Sequence, residues 1–217
     1  MSAEQDTQPE KRVRLRGGER RALILQSAKR VFARSPYAEA SVGDLARESG
    51  ISEPMLYKHF GSKKGLFLAV LKEFGAQFLE ILHKRIADRA AQHVLDALEQ
   101  VVQDYTAAVK ADPEIQRILF QAVIESADPE IARCVGEHNR SVYGFIRQLV
   151  ERAQAEGSLD PALSTDAATW GYLSMILAIQ YGLMLGLSSE IARSQDEMSH
   201  IWLRGLRIRE DDKSFGS

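Results

Sequence analysis

Apolar residues recur three and four apart along nearly the whole chain, and alternating period-two runs bounded by turn pairs are absent. The pattern predicts an all-α fold with few or no strands. After Gly17-Gly18, the spacing of Ile24, Ala28, Val31 and Phe32 predicts a first helix ending near Ser35-Pro36. Ser41-Val42-Gly43-Asp44 reads as a capping-box-like start, and the short helix it opens closes at Gly50. Ser52 is expected to cap a third helix, Glu53 to Phe60, with Pro54 in its first turn. Gly61-Ser62 breaks that helix. Ser62 then caps a long amphipathic one through Leu66, Phe67, Val70, Leu71, Phe74, Phe78 and Leu82 to about Arg89.

Five more helices are expected downstream. One spans Val94 to Lys110, and Asp112-Pro113 and Asp128-Pro129 open two others near 113–126 and 129–155. Thr165 or Ser164 caps a helix to about Leu187, and Ser189 starts a last one reaching Ile208. The resulting organisation is a flexible basic arm over 1–16, a unit at 17–70 with its turn region at about 40–60, a larger helical unit at 71–209, and a frayed tail at 210–217.

Composition narrows the function. Forty-five per cent apolar residues suit a globular chain of 217, and the longest apolar run, Trp170 to Leu187, is interrupted by Gly171, Ser174, Gln180, Gly182 and Gly186. It reads as a buried helix, not a membrane span. The polar start, Met1 to Glu10, carries no secretory signal, and the cytoplasm is the expected address. One cysteine excludes an internal disulfide and a cysteine-based zinc site. Cys134 reads as an inert buried residue or, alternatively, a redox sensor. The net charge of −2 hides an asymmetry: residues 1–70 hold 13 Lys/Arg against 8 Asp/Glu, and the remainder is acidic. A basic head on an acidic body outlines a polyanion binder, or merely a solvated tail.

Two short helices joined at Gly50 match a helix-turn-helix, with an ordinary αα-hairpin as the alternative. Val42, Leu45, Ala46, Ile51, Leu56 and Phe60 point inward, leaving Ser52, Glu53, Met55, Tyr57, Lys58 and His59 for a DNA major groove. Lys58 suits guanine, Glu53 suits cytosine N4 or serves only the helix dipole, and Met55 suits a thymine methyl. The polar tips of Tyr57 and His59 suit phosphates. Tyr57 is otherwise a packed staple. Ser41 and Ser52 hydroxyls are candidates for capping and phosphate contact together. Lys63 opposes the dipole in the first turn of its helix, which makes sense if a phosphate meets that end. The arm Lys11 to Arg16 is a minor-groove candidate or a solubilising tail.

On these residues the chain resembles the TetR family of transcriptional regulators. The resemblance runs from Arg20 to Leu71, about a quarter of the chain, and is most specific at Leu56-Tyr57-Lys58-His59-Phe60 and Ser62-Lys63-Lys64-Gly65-Leu66. It implies an all-α homodimer, usually a repressor, whose C-terminal part binds a small molecule that weakens its hold on a palindromic operator. It also implies backbone contacts for Tyr57, His59 and Lys63. Glu53-Pro54-Met55 departs from the small residue, then Thr, Ser or Ala, of many members, so operator sequence is not inherited from the resemblance.

In the body, Gly171, Ser174, Ala178, Gly182 and Gly186 form a small-residue stripe, and the last helix adds Ile201 and Trp202. By resemblance these are the dimer interface; intramolecular packing is the alternative. Tyr105, Phe120, Ile124, Cys134, His138, Tyr143, Phe145, Trp170, Met175 and Tyr181 are candidates for a hydrophobic ligand pocket, although most such residues are plain core. Enzyme signals, a metal-ligand spacing and a cofactor motif are absent. The rival reading is an architectural or partner-recruiting DNA binder whose body dimerises without a ligand.

Overall fold

A computed structural model describes residues 17–207, the side chains at 195 and 196 excepted. Within them lie nine helices and no strand: α1 (Gly17–Arg34), α2 (Val42–Glu48), α3 (Glu53–Phe60), α4 (Lys63–Ala90), α5 (Val94–Ala111), α6 (Pro113–Ile124), α7 (Pro129–Ala155), α8 (Thr165–Met184) and α9 (Ser188–Leu206). The fold is all-α. The expected arm at 1–16, the tail at 210–217 and the last helix's reach to Ile208 lie outside the described residues.

Side-chain caps set most helix starts. Ser41 Oγ accepts from Asp44 N at 3.0 Å and donates to Asp44 Oδ2 at 2.6 Å, and Ser62 Oγ accepts from Gly65 N at 2.9 Å. Asp112 and Asp128 accept from Ile115 N and Ile131 N, each at 3.3 Å, and Ser164 accepts from Ala167 N at 3.2 Å. Ser52 corrects the expectation. It occupies the N-cap of α3 without a side-chain bond. Pro54 has no N–H to offer, and Met55 N already donates to the Ser52 carbonyl at 3.0 Å, so the hydroxyl has no cap to make. The eighth helix ends three residues earlier than expected, because Gly186 takes φ +80 in the turn that follows.

Two buried clusters divide the interior. The first joins Phe32, Leu45, Leu56, Leu66 and Phe67, all at 0% exposure. Phe32 and Phe67 meet edge to face at 4.9 Å, and Tyr37 leans on Phe67 at 4.7 Å. This cluster continues past α1–α3 into Ile118 and Ala122 of α6 and Ile131 and Cys134 of α7. The second gathers α5 and α8 with parts of α4, α7 and α9 around Ile86, Leu98, Val102, Val150 and Tyr172. The 28 residues of α4, about 42 Å at 1.5 Å per residue, run from the first cluster into the second.

Candidate functional site

The first site is the surface of α2 and α3. Gly50, at φ +64, makes the turn between them. Leu56 anchors α3 in the core, and Ser52, Glu53, Tyr57, Lys58 and His59 are exposed around it, with Met55 half-buried. Tyr57 keeps 45% of its surface open, so it is not a packed staple. The start of α4 is held against α3 by an enforced glycine: a Cβ on Gly65 would lie 2.0 Å from the Phe60 carbonyl oxygen. Ser41, expected to combine capping with a phosphate contact, is exposed beside α2, its hydroxyl shared with Asp44.

The basic residues do not all face outward. Lys63 Nζ donates to the carbonyls of Tyr37, at 2.9 Å, and Ala38, at 3.3 Å, and lies 4.6 Å from the Tyr37 ring centroid. Its role changes accordingly. It pins the α1–α2 loop to α4, and those carbonyls supply the negative partner that a phosphate was expected to supply. Lys64 pairs with Asp128 at 3.0 Å and Glu130 at 3.1 Å, and those hydrogen bonds raise its pKa. Arg30 and Arg34 both bind Glu48, at 3.0 Å each, and hold its carboxyl below the usual range. Lys29 is buried against Asp112 at 2.5 Å, under the Phe74 ring. Of the positive charge counted in the sequence, Arg30, Arg34 and Lys63 therefore hold the head together, and Lys29 and Lys64 tie it to the body. The sequence carries a signal for Lys29, a charge inside the stripe Leu25, Ala28 and Phe32.

The second site is a cavity of about 420 Å³ enclosed by α4, α5, α6, α7 and α8. Of the sequence candidates, Tyr105, Phe120, Cys134, His138, Tyr143, Phe145 and Trp170 line it. Three do not. Ile124 is 67% exposed at the end of α6, and Tyr181 is 58% exposed on the outer face of α8. Met175 is 7% exposed and sits in the second core. It lies off the stripe Trp170, Leu173, Leu177, Gln180 and Met184, whose 3–4 spacing faces the cavity.

The wall also holds Phe78 and Leu82 of α4, where a ligand was expected to press on that helix, and residues that the sequence reading missed: His83, Gln116, Asn139 and Gln180, together with Leu119. For Gln116 the signal was a polar residue within the apolar face Ile115, Ile118, Leu119 and Ala122. No Asp, Glu, Lys or Arg is among the described lining residues. His83 stacks on Phe145 at 4.0 Å. Burial holds the pKa of both His83 and His138 below the ordinary 6.5, and the neighbouring His83 adds to the effect on His138. Burial likewise raises the Tyr105 hydroxyl and the Cys134 thiol, which speaks against a reactive thiolate. Gly75 of α4 faces α7 and α6 across the cavity's edge, at distances that leave room for a methyl group. A Cβ there would meet His138 Nδ1 at 3.4 Å and Leu119 Cδ2 at 3.7 Å. No group of three or more possible metal ligands occurs among the described residues.

Polar ties join this cavity wall to the first site. Gln121 of α6 donates to the carbonyls of Phe32 at 2.8 Å and Ser35 at 3.3 Å, while Asp112 at the head of α6 holds Lys29 of α1. A helix that lines the cavity is thus bonded directly to α1, so α4 is not the only element joining the two sites.

The small-residue stripe divides between two uses. Gly171 and Gly182 pack within the chain against Trp202 and Ile191 of α9, where a Cβ would lie 3.3 and 2.8 Å from their side chains. Trp202 stands edge-on to Tyr172 at 4.7 Å. Gly186 belongs to the turn. Ser174, Ala178 and Ile201 face outward, alongside the exposed Leu177, Tyr181 and Leu185. No helix among the described residues is long and apolar enough to cross a membrane.

Residues 24–70 match the family model of the bacterial regulatory proteins, tetR family. The chain is 26% identical over 185 residues to the HTH-type transcriptional regulator YezE of Bacillus subtilis, covering 82% of this chain and 91% of that protein. It is 30% identical over 139 residues to the HTH-type transcriptional activator FasR of Mycolicibacterium smegmatis, covering 64% of this chain and 62% of that one. The fold is shared with the transcriptional regulator FadR of Bacillus subtilis, solved in complex with stearoyl-CoA, at a TM-score of 0.73 and 15% identity over 86% of this chain and 99% of that one. With the helix-turn-helix at 42–60 and the all-helical body behind it, the chain carries the DNA-binding domain of the tetR family at residues 24–70 and is similar over most of its length to HTH-type transcriptional regulators.

Proposed function

We propose that the protein is a homodimeric repressor that works in the cytoplasm and leaves a palindromic operator when a small hydrophobic molecule fills the cavity. The observation that carries this reading is the cavity itself, about 420 Å³ with an uncharged lining, one wall of which is bonded to α1. Ligand pockets commonly fall between about 300 and 1,000 Å³. A purely architectural protein has no use for such a void, since unfilled core costs stability.

The chemistry divides along the chain. Lys58, Glu53 and Met55 read bases from α3, and Tyr57 and His59, with the hydroxyls of Ser41 and Ser52, meet the backbone. Lys63 supports the loop behind them. Two heads enter successive major grooves only when about 34 Å apart, so two-fold pairing of the bodies is required. The outward residues Ser174, Ala178, Tyr181, Leu185 and Ile201 provide an exposed, largely apolar face for it. A ligand pressing on Leu119 and Phe120 would displace α6, and Gln121 and Asp112 would carry that displacement to α1. A coupling of about 1–3 kcal/mol is enough for an allosteric response.

Selection of bound sites from random DNA, followed by a reporter carrying the recovered site, tests the reading. A palindromic site whose reporter rises when the protein is deleted supports repression. A reporter that falls supports activation, the role named for the relative FasR. A non-palindromic site would count against the dimer.

A further inference from the structure

We infer that the part of the ligand held inside the cavity is an apolar chain bearing one uncharged carbonyl oxygen, a ketone, ester or thioester, which accepts a hydrogen bond from Gln116. The inference rests on the reading that the cavity holds the effector, and it names the chemistry that reading leaves open.

Gln116 lines the cavity from α6 and is 9% exposed, and its Nε2 is buried with no hydrogen-bond partner. Among the described residues it is the only cavity-lining group whose side chain carries such an orphan. A buried donor without a partner is costly, and folded proteins leave few. Gln116 borders the void, so a turn of its amide into that space brings Nε2 to whatever fills it. An N–H donates, so that partner must be an acceptor.

The rest of the wall excludes charge. With no acidic or basic side chain lining the cavity, a cationic ligand would find no counter-ion. A carboxylate would accept from Gln116, but His83 and His138 are held neutral by burial and leave its charge uncompensated. An alkane would fit the apolar surface and leave Nε2 unsatisfied. An uncharged carbonyl satisfies the amide and brings no charge. A thioester meets the same need while any charged carrier stays outside the mouth, where Trp170, Leu177 and Val123 are solvent-exposed.

The test follows tryptophan fluorescence of the protein, with Trp202→Phe leaving Trp170 as the reporter, titrated with decan-2-one, decane, decanoate, decyltrimethylammonium and decanoyl-CoA. Decan-2-one is expected to bind about tenfold or more tightly than decane, decanoate or the ammonium, a tenfold ratio corresponding to 1.4 kcal/mol. Gln116→Leu should abolish the preference of the ketone over decane without weakening decane, and Gln116→Met should do the same if Leu disturbs folding. Decanoyl-CoA binding at least as tightly as the ketone, with the same loss in Gln116→Leu, identifies a carrier-borne thioester as the source of the carbonyl. Tighter binding of decanoate or the ammonium, or a ketone preference that survives both variants, overturns the inference while leaving a ligand cavity. Failure of every probe to bind overturns the cavity reading itself.

Discussion

The head and the body are both buried helical cores, yet one is full and the other is hollow. In the head, aromatic rings interlock at 4.7–4.9 Å and Gly65 brings α4 onto the end of α3 with no space for a methyl group. In the body, Phe78, Tyr105, Phe120 and Phe145 surround about 420 Å³, with an unpartnered amide among them. The head must present α3 in one orientation. The body must accept a guest and yield to it, and loose packing against a void permits that.

The largest expected effect breaks the full side. Gly65→Ala places a Cβ within 2.0 Å of the Phe60 oxygen, so α3 and α4 must separate. We expect a loss of about 3 kcal/mol or more in denaturant titration, with operator binding abolished. A wild-type melting curve would mean that the head is looser than its geometry. Truncation sharpens the same contrast. Phe67→Ala, in the filled core, should cost about 3–5 kcal/mol, and Phe120→Ala, which already faces the cavity, clearly less. Equal costs would argue against a hollow body.

Next come the ties between the regions. Lys29→Met removes a partner from Asp112, whose side chain is 37% exposed, so solvent screening limits the cost to about 1–2 kcal/mol. Gln121→Leu should cost about 1 kcal/mol, keep operator binding and blunt its release by ligand. Normal release in both variants would move the coupling to α4.

A smaller effect follows from the imidazoles. His83 and His138 have pKa values lowered from 6.5, so the unfolded chain takes up protons before the folded one does. Their contribution is present in full above pH 6.5 and is lost as the pH falls through the lowered values. Melting temperature should therefore fall between pH 7 and about 5.5, and His83→Gln with His138→Gln should flatten that slope. An unchanged slope would place both rings in contact with water. Specific to DNA is the contrast between two lysines. Lys58→Ala should relax base preference at one or two positions of the site by about 1–3 kcal/mol. Lys63→Ala should leave that preference unchanged and cost about 1–2 kcal/mol through the freed Tyr37 and Ala38 carbonyls.

The head was far more legible in the sequence than the body, and the reason is range. Caps such as Ser41–Asp44 and Ser62–Gly65, the φ-positive Gly50 and the proline of α3 act within four residues, and the sequence displays them directly. Helix ends depend on less: α8 stops at Met184 because of a glycine two residues on. Pairings across 83 or 89 residues, such as Lys29–Asp112 and Gln121–Phe32, leave no local signal, so basic residues counted toward DNA were found holding the protein together. The cavity was half legible. Aromatic residues on the central helices pointed to it, but the rotation of each helix decided membership, admitting Trp170 and excluding Met175. Glycines on α8 looked alike in sequence, yet Gly171 and Gly182 serve α9 of the same chain while Ser174 and Ala178 face outward.

Reciprocal linkage between the two sites separates a ligand-released DNA binder from one whose cavity and operator surface are uncoupled. Fluorescence anisotropy of the selected operator is measured with and without saturating decan-2-one, and ketone binding is measured with and without operator. The predicted result is that each weakens the other by the same factor, about 5–150-fold, and that Gln121→Leu reduces both factors together. Operator affinity indifferent to a ligand that demonstrably fills the cavity would contradict it.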